Sequence, residues 1–325
     1  MNRHIHPSPG SNVNAVASVP EALSAGDCIA VVAPAGPMLA ERMEQALRPL
    51  REAGFCLKIR DDLHRGQGTY LAGEDSIRLE ELTDALYDSE VKAIVAVRGG
   101  YGVMRLLREL DARLERDGSP HPKRIAGFSD ITTLHLWAQS RLGWASLHSP
   151  MPFNFSQPIG PTAPCSAMDQ SARGLVEALT CVRPCGVVGQ GLISVSKGVV
   201  RGPLTGGNLS LFEATYGTPH VASLKGAILF LEDVGEATYR LDRMLMSLEL
   251  RGLDREVVGV VVGGFTGCGG SPDEVASFVA ERVARWGVPV ARGLGAGHRF
   301  PNQTLWMGVE HVLDATRGEL LVLGT

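Results

Sequence analysis

Ser129 lies where a serine can act either as a nucleophile or as the cap of a helix. In RIAGFSDITTLH, residues 124–135, a short apolar run ends in Gly-Phe-Ser-Asp and an amphipathic segment follows at once. A serine at such a strand-to-helix corner can hold its hydroxyl above a sheet, while the next backbone N–H helps to bind a developing oxyanion. The corner Gly-x-Ser-x-Gly of α/β-hydrolases is only half matched, because Ile131 replaces the second glycine. The alternative is an N-cap, a role that Asp130 could also fill.

A nucleophilic serine needs a base, and the base needs a carboxylate that orients it. Among the nine histidines, His298 lies in the glycine-rich segment GLGAGHRFPNQTL, where a loop can present an imidazole; the alternative is an exposed loop histidine. Glu232 and Asp233 end the apolar run AILFLED, where a charge is costly unless it has a partner. Neighbouring strand residues point to opposite faces, so only one of the two carboxylates can serve, and the pattern leaves open which.

The segment VRGGYG, Val97 to Gly102, is the second feature that could do chemistry. A strand that ends in paired glycines can turn sharply and direct bare N–H groups at an oxyanion or a phosphate. A simple tight turn is the alternative. The segment has neither the Lys-Ser/Thr of a phosphate loop nor the glycine spacing of a dinucleotide fingerprint, so the sequence does not predict nucleotide binding.

Short apolar runs alternate with amphipathic segments from about residue 27 onward, a pattern typical of a parallel sheet with helices on both faces. We predict four regions, an α/β fold overall, and ligand binding at the carboxyl ends of the strands. These regions are a disordered leader at 1–22, an N-terminal parallel-sheet domain at 23–158, a Pro- and Ser-rich linker at 159–190, and a smaller mixed α/β domain at 191–325.

Composition excludes several classes of function. The 325 residues carry a formal net charge of -4, so no basic face is predicted to attract nucleic acid or an anionic membrane. The longest apolar run, VVGVVVGGF, is too short to cross a bilayer, and the N-terminus has no apolar signal core, which favours a cytoplasmic protein. Six cysteines without a Cys-x-x-Cys pair predict reduced packing residues, and neither a metal site nor a cofactor is predicted.

Seven segments together resemble the serine LD-carboxypeptidases, the muramoyl-tetrapeptide carboxypeptidases of bacterial peptidoglycan recycling. They include AVRGGYG, GFSDITTLHL, GPLTGGNLSLFEATYGTP, LFLEDVGEATYRLDRMLMSL and GHRFPNQTLWMG, in order over nearly the whole chain. The resemblance implies that Ser129 is the nucleophile, Glu232 orients the base and His298 is the base. It also implies an oxyanion hole made by the backbone N–H groups of Gly100 and Asp130, and a flavodoxin-like N-terminal domain.

The activity implied by the resemblance is removal of the terminal D-alanine from L,D-linked muropeptide tetrapeptides, without a cofactor, by a cytoplasmic homodimer. A cationic or N–H-rich receptor must then bind the free carboxylate of the substrate. Arg98, Tyr101 and Arg240 are the candidate substrate-binding residues, with Arg243 as a further choice. The alternatives are a microcin-immunity-type serine peptidase acting on peptide-nucleotide antibiotics, and a non-catalytic muropeptide sensor.

Overall fold

Two β-sheets, each covered by helices, carry the candidate residues. The computed structural model describes residues 16–63, 66, 69–156 and 165–324. Among these residues, no helix is both long and apolar enough to span a membrane.

The N-terminal sheet has six strands in the order β12-β5-β4-β3-β1-β2, and every pair in it is parallel except β12 with β5. Its strands are β1 (Cys28–Val32), β2 (Cys56–Ile59), β3 (Val91–Ala96), β4 (Arg124–Gly127), β5 (Ser146–His148) and β12 (Leu305–Met307). The helices that follow them are α1 (Met43–Glu52), α2 (Asp75–Tyr87), α3 (Leu107–Asp117), α4 (Thr132–Trp137) and α5 (Pro152–Phe155). The predicted α/β architecture with a parallel N-terminal sheet is confirmed.

Both faces of this sheet are buried, which explains the continuous apolar runs in its strands. In β1, Ile29 and Val31 pack into one hydrophobic cluster, whereas Ala30 and Val32 pack into another on the opposite face. Strand alternation therefore needs apolar residues at every position rather than at every second one.

The C-terminal sheet is mixed and has eight strands in the order β6-β14-β13-β8-β9-β10-β11-β7. Its strands are β6 (Gly186–Gln190), β7 (Ile193–Ser196), β8 (Val199–Asn208), β9 (Ile228–Val234), β10 (Gly259–Thr266), β11 (Val290–Arg292), β13 (Glu310–Asp314) and β14 (Glu319–Val322). Strands β8 to β11 run parallel, while the others are antiparallel to their neighbours. The remaining helices are α6 (Cys165–Thr180), α7 (Leu209–Thr215), α8 (Thr238–Leu250) and α9 (Pro272–Ala284). The mixed α/β character predicted for this half of the chain is confirmed.

The predicted leader at 1–22 differs from the structure over its last seven residues, while residues 1–15 lie outside the described part. The N–H of Ala17 donates to the carbonyl of Gly308, and Ser18 forms a parallel bridge with Trp144. The carbonyl of Pro20 accepts a hydrogen bond from the buried guanidinium of Arg124, at 2.9 Å from Nη2. Ala17, Ser18 and Pro20 are therefore held by hydrogen bonds and strand pairing that composition does not indicate.

The predicted linker at 159–190 also differs where it is described, because it contains α6 and β6. Arg124 lies under the end of α6 and donates to the carbonyls of Leu179 and Cys181 at 2.9 and 2.8 Å. A cation at this end of a helix is favourable because the last carbonyls lack partners in the helix. Strand β6 pairs with β14, so the segment joins both sheets rather than only separating them.

Candidate active site

Ser129 begins a short helical turn directly after β4, in a backbone conformation that few residues adopt. Its φ is 63°, and among the described residues it is the one non-glycine residue with a positive φ. Such conformations are strained and cluster at functional sites, and a sharp strand-to-helix turn of this kind exposes a serine hydroxyl. The backbone of Gly99 lies against it, because a Cβ at Gly99 would stand 2.8 Å from the Ser129 Cβ.

Glu232 and His298 form a hydrogen-bonded pair. The carboxylate oxygen Oε2 of Glu232 lies 2.7 Å from His298 Nδ1 and also accepts the backbone N–H of His298 at 3.0 Å. Gly297 makes this approach possible, because a Cβ there would stand 2.4 Å from the same oxygen. The contact fixes the imidazole tautomer: Nδ1 carries the proton that it donates to Glu232, which leaves Nε2 free to accept one.

The pKa values of this pair are shifted so that both groups favour their charged forms. Burial alone would raise the pKa of Glu232, but the charge of His298, the neighbouring His148 and the hydrogen bond from His298 lower it to about 2. Burial alone would lower the pKa of His298, whereas the charge and hydrogen bond of Glu232 raise it above its usual value. A fully buried carboxylate thus remains ionised because a basic partner is in contact with it.

Asp233 is not part of this pair. Its carboxylate accepts hydrogen bonds from Asn208 Nδ2 at 2.9 Å, from the Ser210 hydroxyl at 2.7 Å and from the Ser210 N–H at 3.0 Å. These partners lie at the start of α7, on the side of β9 away from His298. In the structure Glu232, and not Asp233, is therefore the carboxylate in contact with His298.

His298 lies against the corner that carries Ser129, although the two residues follow strands of different sheets. The imidazole of His298 packs on the ring of Phe128, with ring centroids 4.8 Å apart, and Phe128 directly precedes Ser129. A second link joins the halves, since the N–H of Asn208 donates to Thr132 Oγ1 at 3.0 Å. The structure thus brings Ser129, Glu232 and His298 to one place.

The two predicted oxyanion donors, Gly100 and Asp130, also lie at this corner. Gly100 has a φ of 117° and follows Gly99, whose carbonyl accepts the N–H of Gly36 at 3.0 Å. The N–H of Asp130 is in the first turn of the helix, where backbone donors have no acceptor within the helix. The Asp130 side chain fixes the glycine segment in place, because its Oδ2 accepts the N–H of Val103 at 2.8 Å. Burial raises the pKa of this carboxyl to about 7.

Two of the three predicted substrate-binding residues, Arg98 and Tyr101, belong to the glycine segment itself. The Arg98 guanidinium stacks on Phe153 at 4.4 Å and donates to the carbonyl of Pro37, and its burial lowers its pKa. The exposed ring of Tyr101 lies 6.2 Å from the ring of Tyr70.

Arg240 lies elsewhere, in α8, where its guanidinium contacts Glu236 and Tyr239. Among the described contacts, none joins Arg240 to the pair of Glu232 and His298.

Sequence reasoning missed three residues that build this site. Asn208 caps α7 and binds Asp233, and Asn302 accepts the N–H of Gly297 at 2.9 Å, which fixes the loop beside Glu232. His148 is fully buried, with its Nε2 3.9 Å from Glu232 Oε1. The asparagines end or follow glycine-rich segments, a weak signal, while nothing local distinguishes His148 from a packed histidine.

Within the described ranges, no three His, Cys, Asp or Glu side chains lie together as a metal-binding set.

Protein-family models match both halves of the chain. The model of the LD-carboxypeptidase N-terminal domain matches residues 29–149, and that of the LD-carboxypeptidase C-terminal domain matches residues 201–313. The first contains the corner with Ser129 and the glycine segment, and the second contains β9 and the loop with His298.

Individual proteins match over nearly the whole length. The murein tetrapeptide carboxypeptidase of Pseudomonas aeruginosa is 32% identical over 305 residues, 89% of this chain and 94% of that protein. The crystal structure of a muramoyltetrapeptide carboxypeptidase from Oxalobacter formigenes superposes with a TM-score of 0.73 and 27% identity, covering 91% of this chain and 97% of that one.

A structure of MccF in complex with glutamyl sulfamoyl guanosine superposes with a TM-score of 0.80 and covers 96% of this chain and 99% of that one. Its sequence identity is 21%, so this similarity concerns the fold. Because the two family models match in order and include both sheets, the chain belongs to the LD-carboxypeptidase family.

Proposed function

We propose that this protein is a serine-type carboxypeptidase that removes the terminal D-alanine from L,D-linked muropeptide tetrapeptides. The observation that carries the proposal is the Glu232–His298 pair, with 2.7 Å between Oε2 and Nδ1, packed against the strained corner of Ser129. The name of the Pseudomonas aeruginosa relative, a murein tetrapeptide carboxypeptidase, supports the choice of substrate.

The proposed reaction is acyl transfer to serine. Ser129 Oγ attacks the carbonyl carbon before the terminal D-alanine, and His298 Nε2 takes the hydroxyl proton. The N–H groups of Gly100 and Asp130 stabilise the negative charge that develops on the carbonyl oxygen. The C–N bond then breaks, and the leaving amine of D-alanine takes the proton back from His298. Water, deprotonated by the same imidazole, hydrolyses the acyl-enzyme and releases the tripeptide.

Arg98 is the proposed receptor for the substrate's free carboxylate. Its guanidinium is half-buried beside Gly36 and the glycine segment, and stacking on Phe153 fixes its plane. A fixed guanidinium can bind a carboxylate with two parallel hydrogen bonds. Tyr101 is proposed to contact the peptide from the exposed rim. Arg240 stays a weaker candidate because its guanidinium contacts Glu236 and Tyr239 and not the glycine segment.

The experiment that tests this function is turnover of a muramoyl tetrapeptide, followed by mass spectrometry, with the parent protein and Ser129→Ala. We expect the parent to release D-alanine and tripeptide. The variant should fold normally and lose about three or more orders of magnitude in turnover, because binding and the oxyanion site alone support the residual rate. Activity of the variant within about tenfold of the parent would contradict a serine mechanism. Tight binding of the tetrapeptide by the parent protein without any turnover would favour the alternative of a non-catalytic muropeptide sensor.

A microcin-immunity-type activity is the second candidate, and the fold shared with MccF in complex with glutamyl sulfamoyl guanosine favours it. The same triad could hydrolyse the acyl bond of an aminoacyl sulfamoyl nucleoside. Both substrate classes should be assayed side by side at equal concentrations. A kcat/KM for the nucleoside compound above that for the tetrapeptide would replace the murein assignment.

The proposed setting is peptidoglycan recycling in the cytoplasm by a homodimer. The supporting argument is the sequence resemblance described above. Cell fractionation tests the compartment, and sedimentation velocity over a range of protein concentrations tests the dimer.

A further inference from the structure

Two buried polar groups beside the catalytic pair face each other without a hydrogen bond. Glu232 Oε1 has no hydrogen-bond partner among the described residues, and neither ring nitrogen of His148 has one. Both side chains are fully buried, and His148 Nε2 lies 3.9 Å from Glu232 Oε1. An unpaired carboxylate oxygen in a protein interior is costly, so a small movement that joins the two groups is favourable.

Aromatic side chains pack around the His148 ring. It meets Phe230 edge to face with 5.0 Å between ring centroids, and Phe128 in the same way at 5.9 Å. Phe128 is also the ring on which His298 packs. His148 therefore lies in the same aromatic layer as His298, at the end of β5, and its Nε2 faces the opposite oxygen of the same carboxylate at 3.9 Å.

The other titratable groups near this ring do not supply the missing donor. His135 lies with its ring centroid 6.3 Å away, and its Nε2 donates to the carbonyl of Gly127. Burial lowers the pKa of His135 to about 3, so its Nδ1 carries no proton. His298 donates to Oε2, and Asp233 is an acceptor that binds Asn208 and Ser210.

We propose that His148 is a positioning residue, whose Nε2–H donates to Glu232 Oε1 in the reacting enzyme and so keeps Oε2 directed at His298. The inference rests on the proposed serine mechanism, in which His298 becomes positively charged when it takes the Ser129 proton. A carboxylate held at both oxygens keeps its orientation during that step. Catalytic hydrogen bonds are often long before substrate binds, which accounts for the separation of 3.9 Å.

The tautomer of His148 can be measured without substrate. In ¹⁵N-histidine NMR of the parent protein, with the His148 signal identified by its loss in His148→Gln, we expect the proton on Nε2 and none on Nδ1. A proton on Nδ1 instead would overturn the inference, whatever the protein hydrolyses. The result of this measurement therefore does not depend on whether the proposed function is correct.

Three variants then separate hydrogen bonding from packing. His148→Phe keeps an aromatic ring but removes the donor, and we expect kcat to fall about 10- to 100-fold, as for loss of a hydrogen bond to a charged group, with KM within about twofold. His148→Gln can place an amide N–H near the position of Nε2 and should restore most of kcat. His148→Asn, the matched control, places its amide near the position of Nδ1 and should not.

The pH dependence of kcat/KM would not change if His148 served only in packing. Without the donor, the Glu232 carboxylate attracts the His298 proton more strongly, so the acidic limb of kcat/KM should shift to higher pH in His148→Phe and return in His148→Gln. Thermal unfolding confirms that each variant is folded. Equal activity of the Gln and Asn variants, or a His148→Phe enzyme with parental kcat and pH profile, would overturn the inference.

Discussion

Ser129 keeps a strained backbone because its surroundings leave no alternative. A positive φ at a residue with a Cβ costs on the order of 1–3 kcal/mol. Gly99 packs on one side of this residue, and on the other Gly127 approaches Ile131 so closely that a Cβ would stand 2.9 Å from its side chain. These close contacts hold the backbone of the corner in its observed conformation.

The two adjacent carboxylates should respond differently to amide substitution. Glu232→Gln places a group that can donate where His298 needs an acceptor, so under the proposed mechanism the imidazole changes tautomer and kcat should fall by roughly four orders of magnitude, as in a Ser-His-Asp triad. Asp233→Asn should chiefly lower the melting temperature, because its oxygens face donors from Asn208 and Ser210. Both variants should be assayed on the same tetrapeptide and melted in parallel. A larger loss of kcat in Asp233→Asn would assign the orienting role to Asp233.

The activity should rise with pH through the pKa of His298. In the proposed mechanism His298 accepts a proton only when neutral, and Glu232 raises its pKa above the usual 6.5, so the acidic limb of kcat/KM should have its midpoint above pH 6.5. Removing the charge in Glu232→Gln should move that midpoint to lower pH.

Asp130 is the control for this assignment, because burial places its pKa at about 7, in the same range. If the limb belongs to His298, it persists in Asp130→Asn. Disappearance of the limb in that variant would assign it to Asp130 instead.

At the scale of elements, the loop after β11 must pass closer to Glu232 than a side chain allows. Gly297 and Gly293 both have positive φ, 94° and 97°. A Cβ at Gly297 would stand 2.4 Å from the Glu232 carboxylate, whereas a Cβ at Gly293 would have no neighbouring atom within 4 Å. Gly297→Ala should therefore displace His298 and lower kcat/KM by about 100-fold or more, a loss that a 1 Å misplacement can cause.

Gly293→Ala is the matched control, since it has the same backbone strain without the clash. It should lose a little stability, about 1 kcal/mol, and keep its activity. Equal losses of kcat/KM in the two variants would mean that backbone strain, and not contact with Glu232, determines the position of the loop.

Local pattern predicted the elements better than it predicted their partners. The apolar run before Glu232 and the corner at Ser129 were visible because strand ends and helix starts have local signals. The choice between Glu232 and Asp233 depends on which face meets His298, 66 residues away along the chain. The periodicity of a single strand cannot reveal that contact. The choice of Glu232 in the sequence analysis came from the family resemblance.

The same limit explains the leader and the linker. Residues 16–22 have a loop-like composition, yet Ser18 pairs with Trp144 and Pro20 binds Arg124. The structure of residues 16–22 depends on partners more than 100 residues away in the chain. Local sequence patterns do not reveal such partners.

At the scale of the whole molecule, the two sheets should unfold together. Strand β12 belongs to the C-terminal half but pairs with β5 at the edge of the N-terminal sheet, and α6 also packs there. Neither half is complete alone, so calorimetry should show one transition with equal calorimetric and van't Hoff enthalpies. Two separated transitions would show that the halves are independent.

The position of β12 has a consequence for synthesis on the ribosome. Proteins emerge from the N-terminus, so β5 is made long before Leu305–Met307, the strand that will cover its edge. An uncovered edge is a template for pairing with other chains, and the growing polypeptide presents it until Leu305–Met307 has been translated. Stalled nascent chains that end at residue 300 should thus be cleaved by added protease and captured by chaperones, whereas released full-length chains should resist both. Protection of the stalled chains equal to that of the full-length protein would show that β5 needs no late partner.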